Sequence, residues 1–227
     1  MNKYKFLMVV LFALLTAFTF GTFTVDSPIG ILKKVVNEVK YKPADKSDWV
    51  NAKAGQALSD RDELKTGDKS LAIILFSDGS GQLRVRENSS MQIYGQKNNK
   101  QLNKNTYLQN GSIGFDINKQ ENEEFKFTTP TAVASIRGTA GLLGSSLDST
   151  YIVLEHGVIE LRSILPGGGN GTIKGGQSGS IDRLGKFISH PITPDELYKL
   201  LASHNTNTKK VKIKVNNKIL EIEYLSQ

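Results

Sequence analysis

The chain has 227 residues, 29 Lys plus Arg against 22 Asp plus Glu, and a formal charge of +7. It holds no cysteine, one tryptophan (Trp49) and three histidines, His156, His190 and His204. That inventory excludes a disulfide framework, a thiolate metal site, a cysteine nucleophile and an iron–sulfur cluster, while 38% hydrophobic and 22% charged residues fit a folded body rather than a disordered tail.

Lys3 and Lys5 precede an uncharged run from Phe6 to Phe23, 18 residues of which 14 are apolar. Residues 1–23 therefore read as an export signal. Because about 20 helical residues span a bilayer, a retained N-terminal anchor is the alternative. Both place the rest of the chain outside the cytoplasm, in the periplasm or at the cell exterior. Without cysteine, the exported body must rely on burial and hydrogen bonding for its stability.

After Pro28 short alternating segments recur between turn signals, which predicts an all-β sandwich, barrel or short coil of strands. Ile29 to Tyr41 is the first candidate strand, and Lys46 to Gly55 reads as a connection plugged by Trp49. Ser70 to Ser77 is apolar on both faces and predicts a central strand. Asp78-Gly79 turns the chain into Gln82 to Arg86, with Leu83 and Val85 inward, and Asn88-Ser89-Ser90 turns it into Met91 to Tyr94. Gln96 to Asn105 reads as a polar loop tip. Asn110-Gly111 precedes Ile113, Phe115 and Ile117, and a charged turn with Glu121, Glu123 and Glu124 precedes Phe125 and Phe127. X-Gly pairs supply positive φ and so predict tight strand connections.

Tyr151 to Leu161 reads as a hairpin around His156-Gly157. Residues 166–171 are too Gly-rich to hold structure, and Thr172 to Ile181 resumes as one short strand. The one predicted helix runs from Thr193 to about His204. Thr193 caps it, Pro194 opens it, Glu196 completes a capping box, and Leu197, Leu200 and Leu201 form its apolar stripe. A final hairpin alternates Val211, Ile213 and Val215 with Lys210, Lys212 and Lys214, turns at Asn216-Asn217 and returns through Ile219 to Tyr224. The lysine row is what an edge strand uses against unwanted pairing.

The unusual stretch is Thr128-Thr129-Pro130-Thr131-Ala132-Val133-Ala134-Ser135-Ile136-Arg137-Gly138-Thr139. Small side chains from Ala132 to Ile136 let the backbone approach a neighbouring sheet. Arg137 then interrupts the apolar run and reads as a structural guanidinium tying adjacent strands, which needs carboxylate or carbonyl partners if buried, with a ligand contact as the alternative; Gly138 permits a bulge or sharp bend.

This segment resembles the hallmark of the FecR-domain family, a TP-x-AV-x-S-V-RGT pattern, carried here by Thr129, Pro130, Ala132, Val133, Ser135, Ile136, Arg137, Gly138 and Thr139. The flanks agree: Leu64-Lys65-Thr66-Gly67-Asp68 and Asp78-Gly79-Ser80 upstream, Val153-Leu154-Glu155-His156-Gly157-Val158 and Gly175-Gly176-Gln177-Ser178 downstream. Ala140-Gly141-Leu142-Leu143-Gly144 departs from the family pattern and predicts a shorter or bent strand. The resemblance implies a FecR-like β-sandwich or short β-solenoid (β-roll) of many short strands over residues 29–190. Residues 193–227 add the helix and terminal hairpin.

The family's namesakes relay signals from an outer-membrane receptor to a cytoplasmic sigma factor. Only five residues precede the apolar run here, so no sigma-factor-binding segment is expected ahead of it. The resulting expectation is a non-enzymatic extracytoplasmic interaction module that engages a protein or glycan of the cell envelope. A periplasmic component of trans-envelope signalling is the alternative. Asp60, Asp62, Glu63 and Asp68 match no calcium-loop spacing, the histidines lack ligand partners, and the Ser-Asp-Gly-Ser and Gly-Ser-Ser stretches lack the nucleophile elbow. No catalytic residue, metal or cofactor is expected, no nucleic-acid partner, and no membrane contact beyond the N-terminal anchor.

Overall fold

The computed structural model describes residues 28–98, 101–119, 125–206, 208–215 and 218–225. The leader, the Glu121–Glu124 turn and the Asn216-Asn217 turn lie outside them. Two layers of mainly antiparallel strands stack face to face. Layer I runs β4 (Ala57–Leu58), β1 (Gly30–Val36), β6 (Leu71–Phe76), β7 (Gly81–Val85), β9 (Gln101–Ile117), β12 (Thr139–Ser145), β13 (Thr150–His156), β16 (Gln177–Ile181) and β17 (Phe187–Pro191). Layer II runs β3 (Val50–Asn51), β2 (Val39–Lys42), β5 (Glu63–Thr66), β8 (Ser90–Asn98), β9 again, β10 (Phe125–Thr128), β11 (Ala132–Ile136), β14 (Val158–Ser163) and β15 (Asn170–Lys174). The architecture is the expected all-β sandwich, coiled as a roll and open rather than closed as a barrel.

Strand β9 joins the layers. Its first half pairs with β8 and β10 in layer II, and residues 111–117 pair with β7 and β12 in layer I. The hinge is Gly111, at φ +98. Asn110-Gly111 thus bends one continuous strand from sheet to sheet instead of turning a hairpin. Once β9 has crossed, the chain returns to lay β10 parallel to β9's own first half.

Alternation fills the space between the layers. Leu32, Ile74, Leu83, Val85, Ile113, Phe115, Leu143 and Ile152 from layer I meet Leu64, Ile93, Leu108, Phe127, Ile159 and Leu161 from layer II. Two ring pairs stitch the layers, Phe76–Phe125 edge-on and Phe115–Phe127 tilted, each with centroids 5.2 Å apart. Such pairs add about 0.5–1.5 kcal/mol beyond their burial. The central strand β6 is buried as its sequence predicts.

Several connections differ from the sequence reading. Ile29 to Tyr41 splits into β1 and β2, one in each layer, because Asn37 takes φ +57 between them. Residues 96–98 and 101–105 are strand rather than loop: β8 and β9 continue as a paired arm to Asn98↔Gln101. The segments Tyr151–Leu154 and Val158–Leu161 form no hairpin. Gly157, at φ +93, is a corner that sends β13 into layer I and β14 into layer II. Thr172 to Ile181 divides in the same way at Gly175-Gly176, and Asn170 and Gly171 of the Gly-rich stretch belong to β15. Strand β12 keeps seven buried residues and bends at a register shift between Ala140 and Gly141. Trp49 is no plug: it is half-buried on the outside of layer II, with Lys65 Nζ 4.4 Å and Lys42 Nζ 5.3 Å from its ring.

Helix α1 (Pro194–His204) begins with the predicted capping box: Thr193 accepts from the Glu196 N–H, and the Glu196 carboxylate accepts from the Thr193 N–H. It lies on the outer face of layer I, where Leu200 packs on Leu142 and Val153. Leu197 and Leu201 are 46% and 59% exposed, so the apolar stripe narrows to Leu200 with Ser203. Arg86 Nη1 and Lys34 Nζ donate to the carbonyls of Asn205 and Thr206 at 2.8 and 3.0 Å, tethering the segment just beyond the helix. The chain closes with the antiparallel pair β18 (Thr208–Val215) and β19 (Lys218–Leu225).

Candidate functional site

The unusual Thr128–Thr139 stretch runs from the end of β10 through β11 to the start of β12. The Thr129 hydroxyl is buried. It accepts from Ala132 N–H at 3.0 Å and sits 2.5 Å from the Thr150 hydroxyl, which also lies 2.7 Å from that of Thr131. These bonds pin the β10–β11 turn to the first residue of β13, and Pro130 sits in that turn, outside any strand. Along β11, Ala132, Ala134 and Ile136 face the core, while Val133 and Ser135 face outward. Arg137 is exposed and forms no ion pair with a described residue. The corner at Gly138 (φ +67) throws the side chain off the sandwich, which overturns the reading of a strand-tying guanidinium. Thr139 is fully buried beneath Gly157, where an added Cβ would meet its methyl at 2.4 Å.

The outward residues of β11 lie in a shallow depression of about 340 Å³ lined by Lys126, Thr128, Val133, Ser135, Glu160 and Arg162. A second depression of about 630 Å³ adjoins it, lined by Asp60, Arg61, Tyr94, Gly95, Asn103, Lys104, Asn105 and Lys126. Lys126 borders both. The two form one polar trough across β8, β9, β10, β11 and β14 on the outer face of layer II. Local hydrogen bonds order its floor: Thr128 to Asn105 at 3.0 Å, Gln92 to the Arg61 carbonyl at 2.9 Å, and Gly95 N–H to Asp60 at 3.1 Å. Burial, reinforced by Asp60 and Glu63, pushes the Tyr94 phenol up, so the tyrosine stays a neutral hydrogen-bonding group. Mixed charges, amides and an aromatic ring suit a polar surface that grips a partner by many weak contacts.

Of these trough residues, sequence reasoning singles out Asp60, Thr128, Val133 and Ser135. Tyr94, Lys126 and the pair Glu160 and Arg162 come from three strands and meet only because β8, β10 and β14 share one face. Strand alternation marks each as outward but gives no clue that they converge.

The remaining sequence candidates are structural. Asp62 is buried and accepts from Tyr41 Oη at 2.8 Å, Ser59 N–H at 2.8 Å and Ala44 N–H at 3.0 Å. Burial, then that hydrogen bond, pushes the Tyr41 phenol up to about 12. Asp78 pairs with the buried Lys104 ammonium, which also lies 5.7 Å from the Phe76 ring, closing the sandwich beside the β6–β7 turn. His204 Nε2 is buried 3.5 Å from Glu155 without hydrogen-bond geometry, and burial, then Arg84, pushes its pKa down. His190 lies 3.7 Å from Glu196, and His156 is exposed at a corner. Among the described residues no three His, Asp or Glu side chains are grouped as metal ligands, and no helix is long and apolar enough to cross a membrane.

Residues 62–160, from just before β5 into β14, match the family described as FecR protein. The chain carries a FecR domain. The motif, the trough's β11 wall and the β9 crossover all lie within it. Two crystal structures, each described as a "putative anti-sigma factor from Parabacteroides distasonis ATCC 8503", share the fold. One aligns at 11% identity and TM-score 0.50 over 60% of this chain and 62% of its own; the other aligns at 9% and 0.52 over 73% and 84%. The chain thus spans less than two thirds of the first structure's length. No curated protein matches it.

Proposed function

We propose that this FecR-domain chain is a non-enzymatic interaction module of the cell envelope that binds a protein or glycan in the trough on layer II. The carrying observation is an asymmetry between the two outer faces. Layer I is covered in part by α1, whereas layer II carries no packed helix among the described residues and presents the two depressions that meet at Lys126. The FecR family is regulatory rather than catalytic, which supports binding without turnover. In this reading residues 1–23 export or anchor the chain, residues 29–190 form the binding body, and residues 193–227 are an appended unit. The anti-sigma factor name borne by both structural relatives favours a second reading, a periplasmic component of trans-envelope signalling that reports receptor state to another protein.

The test is site-specific photocrosslinking in cells, with the reactive group at Ser135 or Glu160. Adducts with an envelope protein or glycan are expected there, and they should be lost when Lys126→Glu and Arg162→Glu are combined. Labelling no stronger than from Asp195 on the exposed side of α1 would end the proposal. The identity of a protein adduct separates a signalling partner from a scaffold.

A further inference from the structure

Layer II ends at β15, and its free backbone groups can be assigned from the bonds that flank it. Ser163 N–H donates to Gly169 O, and Gly175 N–H donates to Gly157 O. In an antiparallel pair, bonded and non-bonded positions alternate. The β14–β15 register therefore makes Leu161–Gly171 and Ile159–Ile173 the bonded pairs, and turns the N–H and C=O of Asn170, Thr172 and Lys174 away from β14. Gln177 Oε1 accepts from Lys174 N–H at 2.9 Å. No described residue bonds the outward groups of Asn170 and Thr172.

The other edges of the two layers are less suited to addition. On β17, Ile192 N–H donates to Gly176 O and Asp182 N–H to Lys186 O, which turns Phe187, Ser189 and Pro191 outward, and Pro191 has no N–H to offer. Strands β3 and β4 have two residues each, and β1 carries a register shift between Leu32 and Lys34. Strand β15 offers five residues with neither proline nor bulge. Beside it, Leu184 is 77% exposed in the turn ahead of β17. Large apolar side chains at an open sheet end mark a surface that association covers.

We propose that β15 is a self-pairing edge, at which two copies of the chain join antiparallel about a two-fold axis through Thr172. About Thr172, each Thr172 N–H meets the Thr172 carbonyl of the second copy and each Asn170 N–H meets the Lys174 carbonyl, while each Lys174 N–H exchanges the Gln177 amide for the Asn170 carbonyl, so six bonds form in place of two. Lys174 then faces Asn170 instead of a like charge, and Thr172 faces Thr172, a favourable cross-strand pair. The interface is isologous and closes at two copies. It is independent of whatever the trough binds, because it uses the backbone edge of the sheet.

The absence of cysteine makes the test clean. Thr172→Cys places the only thiol of the full chain on the proposed axis. Directly bonded antiparallel partners have Cα atoms about 5.5 Å apart, within the roughly 4.4–6.8 Å that a disulfide spans. Mild oxidation of the purified full chain is expected to give a reducible covalent dimer. Asn170→Cys and Lys174→Cys chains should each form little dimer alone and cross-link when mixed, which reads the register and does not depend on the Thr172 variant. If Thr172→Cys links no faster than Arg137→Cys at an exposed corner, or if Asn170→Cys links to itself as readily as to Lys174→Cys, the pairing is wrong.

Discussion

A Cβ added to Gly111 would stand 2.2 Å from the Ser89 hydroxyl oxygen and 2.5 Å from the Ser89 Cα. The same hydroxyl accepts from Ser112 N–H at 3.0 Å, so Ser89 and Gly111 together fix the point where β9 leaves one layer for the other. Gly111→Ala adds a positive-φ penalty of about 1–2 kcal/mol to overpacking of about 1–3 kcal/mol. Urea denaturation should show a loss of about 2–5 kcal/mol. Adding Ser89→Gly should relieve only the contact with the hydroxyl and its Cβ, because the Ser89 Cα stays 2.5 Å from the added carbon, and a Gly111→Ala loss within experimental error would show that the crossover tolerates a side chain.

The Thr150 hydroxyl lies within hydrogen-bond distance of both Thr129 and Thr131, all three buried. Thr150→Val keeps the shape and removes that oxygen. Leaving a buried hydroxyl short of a partner costs about 1–3 kcal/mol. Thermal melts should fall accordingly, with the β10–β11 turn exchanging its amide hydrogens faster. Unchanged protection at Ala132 N–H would show that Thr129 alone holds the turn.

Lys104 is buried, where its ammonium pairs with Asp78 and donates to the Leu102 carbonyl at 3.0 Å. Asp78→Asn should cost about 3–5 kcal/mol, since it takes the opposite charge away from a buried ammonium. Lys104→Met combined with Asp78→Asn should recover much of that loss. Burial alone would raise the Asp78 pKa, but hydrogen bonds from Lys104 and Ser80 outweigh it and hold the group below its ordinary value. The unfolded chain therefore binds the proton more readily, and stability from this pair is present above the ordinary aspartate value and fades as pH falls through the depressed one. A wild-type stability curve that stays flat through the acid range, parallel to that of the double variant, would contradict the pairing.

His204 shifts the other way in charge but acts in the same direction. Its lowered pKa means that the folded state favours the neutral ring, so its contribution is complete above the unfolded value of about 6.5 and declines as pH falls below it. Protonation would place a cation near Arg84, with Glu155 as the opposing charge. Amide exchange at Ala202 to Asn205 should quicken on mild acidification, and His204→Gln should remove that dependence. Exchange that is equally pH-insensitive in both proteins would show that the ring is solvated.

Period-two alternation determined by itself which side chains of β7, β8 and β10 face inward, because a strand buried on one face leaves no other choice. The capping box of α1 was equally legible, since its bonds close within three residues, and the Thr129–Thr139 motif pointed to the FecR fold. What the sequence could not determine was which strand pairs with which. Gly111, Gly138 and Gly157 announce positive φ, and positive φ serves a hairpin turn and a corner between layers equally well. Only the long-range pairing decides between them. The same limit hid the trough, whose Tyr94, Lys126 and Arg162 lie on three strands far apart in the chain. It also misplaced Arg137, a charge in an apolar run, which the Gly138 corner turns out to solvent.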